Sequence, residues 1–300
     1  MQKLSHIGEF GLIELIKRTA YDSPGVIRGI GDDAAVLSGE GSQVLLLTTD
    51  MLVEDVHFTR KMNPRRIGHK ALGTNISDIA AMGGLPTYAV ISLGLPPSLF
   101  SDFVKTIYEG INRLAKKFKV GIVGGDTNRS SKIIISVTLL GKASKGEVIY
   151  RKGARKGDGI FVTGALGGSL KSQKHLKFIP RIKESQYLVK NFHPTSMIDI
   201  SDGLCADLGH ILIESQLGAV IYEEKIPRNP KATLNNALYD GEDFELIFTL
   251  SKKEAALLQK IKTPFRFYPI GEIVGRKNCL WLIDRKARKV RLPLKGFTHF

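Results

Sequence analysis

Apolar residues recur along this chain in two rhythms, and the rhythms alternate. Short continuous runs predict strands over residues 35–37, 44–50, 88–95, 120–123, 133–140, 160–163, 197–199 and 246–250. Spacing by three and four predicts an amphipathic helix over 9–19, with Phe10, Ile13 and Ile16 turned inward, and longer helices over 100–118 and 204–216. Ser98 is placed to cap the first of these longer helices, and Ser201 or Asp202 the second. A short helix is expected over 72–84: Leu72, Ile76 and Ile79 share a face, and Gly83, Gly84 and Pro86 stop it. Its other face carries Thr74, Asn75 and Asp78, which helical spacing turns the same way. The polar, glycine-bearing stretch 141–146 separates two such series and is the candidate boundary between residues 1–143 and 144–300.

The apolar runs end repeatedly in acidic or hydroxyl residues. The run over 44–50 closes on Thr48, Thr49 and Asp50, hard oxygen donors of the kind Mg²⁺ prefers. Glycines followed by a carboxylate recur at Gly31-Asp32-Asp33 and at Gly124-Gly125-Asp126. Adjacent carboxylates repel, so Asp32 and Asp33 read either as a turn before a strand or as a place for a cation. Asp199 and Asp202 flank the start of the helix over 204–216, and Asp78 adds one more carboxylate. Ligand sites in α/β folds collect at the carboxyl ends of strands, and a repeated gathering of carboxylates there fits several hard cations in one cleft. The glycine-rich turn over 164–169 lacks the Lys-Ser or Lys-Thr ending of a Walker loop. Several divalent ions without a Walker loop point to phosphate chemistry in which metals carry the electrostatic load.

Composition narrows the partners. A net charge of +15 favours polyanions such as nucleotides and phosphates. The cations are scattered, with mild clusters over 151–156, 171–183 and 285–291, and no aromatic residues interleave with them. General surface basicity is therefore preferred to a nucleic-acid groove. The two cysteines form no CxxC, which argues against a disulfide framework or a zinc site and fits a cytoplasmic protein. No apolar run approaches the roughly 20 residues of a membrane span, and the first residues show no signal-peptide pattern.

Taken in order, GIGDDAAVL, LLTTDMLVEDVHF, NISDIAAMGGLP, GIVGGDT, MIDISDGLCADLGH, GEDFEL and the terminal KGFTHF resemble the thiamine-monophosphate kinase family. That family belongs to the superfamily of aminoimidazole-ribotide synthetase and selenophosphate synthetase. The resemblance runs from residue 8 to the last. It implies two α/β domains, each a mixed sheet backed by helices, with the N-terminal domains pairing in a homodimer and the site in the cleft between domains. It implies transfer of the γ-phosphoryl of ATP to thiamine monophosphate, assisted by several Mg²⁺ ions. Position by position, Asp33, Thr48, Thr49, Asp50, Asp78, Asp126, Asp199 and Asp202 resemble the metal ligands. Tyr108, Gly125, Asp126, Arg151 and Ser201 resemble nucleotide contacts, and His57, Glu242 and Phe297 contacts to the thiamine phosphate. One departure stands out: Gly168 replaces an acidic residue, and most of the segment that normally follows is missing before His175. The alternatives are a sister activity of the superfamily and, from the charge alone, a non-catalytic nucleotide- or RNA-binding protein.

Overall fold

The computed structural model describes residues 3–21 and 23–298. Its first sheet comprises β1 (Val26–Arg28), β2 (Ala35–Ser38), β3 (Gln43–Val53), β4 (Leu85–Leu95), β5 (Gly121–Arg129) and β6 (Ile134–Ser144). The order is β1-β2-β3-β6-β4-β5, antiparallel throughout except for the parallel pair β4–β5. The second sheet comprises β7 (Gly159–Val162), β8 (Ser196–Asp199), β9 (Gly218–Tyr222), β10 (Leu246–Leu250), β11 (Tyr268–Val274), β12 (Leu280–Ile283) and β13 (Lys289–Leu292). Here the order is β13-β12-β9-β11-β7-β10-β8, with β9–β12 the parallel pair. The helices of the first half are α1 (Leu4–Thr19), α2 (Pro64–Ala81) and α3 (Ser101–Phe118). Those of the second are α4 (Ser169–Ser172), α5 (Ile182–Asn191), α6 (Leu204–Ser215), α7 (Leu234–Tyr239) and α8 (Lys252–Lys260). This is a two-part α/β fold built on mixed sheets.

Helix α2 organises the interior. It packs against β3 and β6 of the first sheet, against α3, and against α5 and β8 of the second half. One apolar cluster joins Ile76 and Ile79 of α2 with Val36, Leu46 and Val137 of the first sheet and with Leu188, Met197 and Phe248 of the second half. A second cluster fills the space between α6 and the other face of the second sheet. Asn63 caps α2 by accepting from the Arg65 N–H at 3.0 Å, and Pro64 occupies the first turn, where its missing donor costs nothing. Gly68 and Gly110 let α2 and α3 approach until backbone meets backbone: a methyl group on either would overlap a carbonyl of the other helix.

Several local expectations are corrected. Helix α2 begins at Pro64, well before residue 72, because Arg65, Arg66, His69 and Lys70 hide its apolar rhythm. Helix α1 buries none of its described side chains. Phe10 and Ile16 are 43% and 49% exposed rather than inward, and Phe10 instead lays its ring 4.8 Å from that of His210. Strand β3 does not end at Asp50 but continues to Val53, and β5 runs through Gly124, Gly125 and Asp126. Ser98 does not cap α3; Phe100 occupies that position without a side-chain bond. Neither Ser201 nor Asp202 caps α6, whose cap residue is Gly203. No helix among the described residues is long and apolar enough to cross a membrane.

Candidate active site

Strand β3 alternates its side chains, so Thr48 and Asp50 face α2 while Thr49 faces away. Thr48 donates its hydroxyl to Asp78 Oδ2 at 2.6 Å. Asp78 lies in the last turn of α2, where the helix dipole already presents negative charge. One residue earlier, Ser77 donates to Asp199 Oδ2 at 2.6 Å, tying α2 to the end of β8. The loop before β2 brings in Asp33. Carboxylate oxygens of Asp33, Asp78 and Asp199 then lie within 4.8 Å of one another. Asp50 is hydrogen-bonded by Thr74 from the adjacent turn of α2.

Electrostatics identify what this arrangement lacks. Burial raises the pKa of Asp33, Asp50, Asp78 and Asp199; Asp78 and Asp199 are both pushed well up, and Asp50, Asp199 and Asp33 all add repulsion at Asp78. Buried oxygens on Asp33 and Asp50 have no hydrogen-bond partner. Arg151 offsets part of the charge, donating from Nη2 to Asp33 at 2.6 Å, while its backbone N–H holds Asp32 at 3.0 Å. Lys70 reaches Asp50 only through space. Hard, orphaned oxygens converging at the C-terminal end of a helix fit a divalent cation such as Mg²⁺.

Beside this cluster, the start of α6 adds Asp202, Asp207 and His210, whose ligating atoms also lie within 4.8 Å of one another. Asp207 accepts from the backbone N–H groups of Asp202 (3.1 Å) and Gly203 (3.0 Å), the two residues before α6, whose cap position makes no side-chain bond. Burial raises its pKa, with repulsion from Asp202 and Asp199 adding to it.

A second pole is built around Lys70, which is fully buried in α2. Its ammonium group pairs with Glu242 and donates to the His57 carbonyl at 2.9 Å. His57 Nδ1 accepts from the Val53 N–H at 3.0 Å, which fixes the ring at the end of β3. Glu242 has a left-handed backbone, φ 64°, held by its N–H bonding to the Ser201 carbonyl at 2.6 Å. The Phe297 N–H bonds to the Asp202 carbonyl at 3.0 Å. Backbone pairing thus brings Ser201, Asp202, Glu242 and Phe297 to one place. The last two residues, His299 and Phe300, lie outside the described residues.

Other expected site residues stand apart. Asp126 is exposed on edge strand β5 and accepts from the Asn128 amide at 2.6 Å. Thr49 bonds to the Val137 carbonyl and the Thr138 hydroxyl on the open face of the sheet. Adjacent strand residues cannot face the same way, so Thr48 and Thr49 cannot both join the cluster within one chain. Gly125 lies in the same exposed edge strand, and Tyr108 packs half-buried against the core. The shortened segment is ordered rather than vestigial. Lys174 contacts Glu245 at 2.9 Å, Arg181 grips the same carboxylate with two bonds of 2.7 Å, and Phe178 stacks on Phe244 at 4.1 Å. Lys70, Lys174, Arg181, Asp207 and Glu245 were not singled out from the sequence, since each acts through a partner distant along the chain or through a cap.

Two family models match the chain: AIR synthase related protein, N-terminal domain, over residues 31–143, and AIR synthase related protein, C-terminal domain, over residues 155–279. The thiamine-monophosphate kinase of Buchnera aphidicola (strain APS) is 37% identical, covering 97% of this chain and 98% of its own length. The chain belongs to the thiamine-monophosphate kinase family. The thiamine-monophosphate kinase of Escherichia coli is 32% identical, with 98% of each chain covered. Among solved structures, AaThiL complexed with AMPPCP and TMP superposes with a TM-score of 0.86 at 35% identity, covering 100% of this chain and 99% of that one. The thiamine-monophosphate kinase from Aquifex aeolicus gives 0.79 at 33% identity, covering 96% and 99%.

Proposed function

We propose that this protein is an ATP-dependent kinase that converts thiamine monophosphate to thiamine diphosphate. The observation that carries the reading is the convergence of Asp33, Asp78 and Asp199 with unpartnered buried oxygens, in a chain of this family. Asp33, Thr48, Asp50, Asp78 and Asp199 would hold Mg²⁺, with Asp202 beside them. Mg²⁺ bound there would supply positive charge to the phosphate oxygens and draw the nucleotide's phosphates to an otherwise repellent site.

The chain's own residues then orient two anions. Arg151 and Ser201 border the carboxylates and suit nucleotide contact. Lys70 pairs with Glu242 and holds it in place, and Glu242, His57 and Phe297 surround the position for thiamine monophosphate. An aromatic ring such as Phe297 attracts a cationic thiazolium through its π face. A terminal phosphate oxygen of thiamine monophosphate attacks the γ-phosphorus, the bond from that phosphorus to the β,γ-bridging oxygen breaks, and ADP leaves. The attacking oxygen is already anionic at neutral pH, so no general base is assigned. With γ-labelled ATP, label is expected in thiamine diphosphate and absent from the protein; a labelled protein intermediate would overturn direct transfer.

Thr49, Gly125 and Asp126 belong to this reading through the oligomer. They lie on or beside a sheet face that exposes Met51, Tyr88 and Val123 at 55%, 55% and 63%. Burial of that apolar face against a second copy favours a homodimer and puts Thr49 and Asp126 near a subunit boundary. Two buried free thiols, Cys205 and Cys279, suit the cytoplasm.

A further inference from the structure

Away from the carboxylates, the N-terminal half of α2, the C-terminal half of α3 and the segment after α4 enclose a cavity of about 450 Å³. Arg65, Arg66, His69, Arg113, Lys117 and Lys177 line it, and no acidic side chain does among the described residues. The cations meet there for a structural reason. Gly68 and Gly110 bring α2 and α3 into backbone contact, so residues one turn away on each helix face each other across a narrow gap. The third wall is fixed to the first by His69, whose ring bonds to the Phe178 carbonyl at 2.6 Å. Burial lowers the pKa of His69, and the positive charges of Lys117 and Arg113 act in the same direction.

Little on the protein offsets this charge. Arg65 pairs with Glu109 and Arg66 donates to the Gln173 amide oxygen at 3.0 Å. Among the described residues, Arg113, Lys117 and Lys177 make no ion pair within 4 Å. A concave site with several unneutralised cations and a volume typical of small-molecule pockets suits one chemical class. We propose that this cavity binds a small metabolite carrying two or more linked phosphate groups, at a site separate from the kinase centre. Along α2, Asp78 lies beyond both Arg65 and His69 of the cavity wall, roughly 20 Å from the first and roughly 14 Å from the second at about 1.5 Å per residue. The wall is also joined to the loop of Glu242: Phe178 stacks on Phe244, and Lys174 reaches Asp243 at 3.5 Å and Glu245 at 2.9 Å.

The test is calorimetric titration of inorganic pyrophosphate into the full-length protein in EDTA, where the metal-free carboxylates repel the probe from the kinase centre. Saturable binding is expected, weakened about tenfold or more by Arg113→Ala combined with Lys117→Ala and unchanged by Asp78→Asn. The double substitution lies on exposed helix positions and keeps turnover of ATP and thiamine monophosphate, which reports that it folds. Amide exchange should slow over residues 174–181 when pyrophosphate binds. Absence of saturable binding, equal affinity in the double variant, or loss of binding in Asp78→Asn would each overturn the proposal. So would preferential binding of a single-stranded RNA oligomer with the same sensitivity to Arg113 and Lys117.

Discussion

Replacing Asp78 by Asn should move stability and activity in opposite directions. Oxygens of Asp33, Asp78 and Asp199 lie within 4.8 Å of one another. At that separation two ionised carboxylates repel by about 3.5 kcal/mol for an effective dielectric of about 20. The metal-free protein relieves most of this by retaining protons, which is why burial and its three acidic neighbours drive the pKa of Asp78 well up. The residual cost, on the order of 1–2 kcal/mol, disappears when Asn replaces Asp. The amide oxygen can still accept from Thr48, so the bond across to β3 survives. A metal-free Asp78→Asn protein should therefore melt about 2–6 °C higher than the parent at pH 8. Its response to added Mg²⁺ should largely vanish, and turnover should fall by about 10²–10³, the usual cost of removing one charge-stabilising group. Thermal melts in EDTA and in Mg²⁺, with a turnover assay on the same samples, read all three. A variant that melts lower than the parent in EDTA, or that keeps full turnover with a normal Mg²⁺ response, would refute the repulsive-cluster argument.

Three further outcomes follow from the same geometry. Lys70→Met leaves Glu242 facing a buried apolar neighbour, so it should cost about 3 kcal/mol in chemical denaturation and raise the KM for thiamine monophosphate more than that for ATP. Stabilisation by Mg²⁺ should grow with pH: burial raises the pKa of Asp33, Asp50, Asp78 and Asp199, so the metal-free fold holds protons that the unfolded chain releases above about pH 4. Metal-free stability therefore falls as pH rises through that window while metal binding gains, and a Mg²⁺-induced melting shift that is no larger at pH 8 than at pH 5.5 would contradict this. Val123→Asp should convert the proposed homodimer to a monomer in sedimentation experiments, because it puts a charge on the most exposed part of the apolar sheet face.

Strands β2 to β8 and β10 were legible because their apolar runs are continuous, with β7 and β10, buried on both faces, the plainest case; β1, β9, β11, β12 and β13 have no expected strand over them. The polar face of α2 was legible as a spacing, with Thr74, Asn75 and Asp78 turned the same way, but its spacing alone fits a solvated face as well as a cation site, and its burial is visible only in the fold. What periodicity could not give was the first half of α2. Lys70 looks like a solvent residue in any sequence window, and its burial is explained by partners that folding brings to it, Glu242 172 positions away and the His57 carbonyl. The reach of β3 was missed for a related reason: Thr48, Thr49 and Asp50 read as a strand end, whereas pairing with β6 continues through Val53. Spacing along the chain also treats Thr48 and Thr49 alike, although the pleat sends them to opposite faces. Asp207 escaped because its role is a cap reaching backward, satisfied by backbone groups that the sequence does not display. Arg181 and Glu245 are an ion pair closed by tertiary folding alone.

The most direct test of the central claim is to incubate the protein with ATP and Mg²⁺, with thiamine monophosphate or free thiamine as acceptor, and to quantify ADP and thiamine diphosphate together. Equal amounts of both products with the monophosphate, and neither with thiamine, is the expected result. ADP formed without thiamine diphosphate would contradict the proposed acceptor.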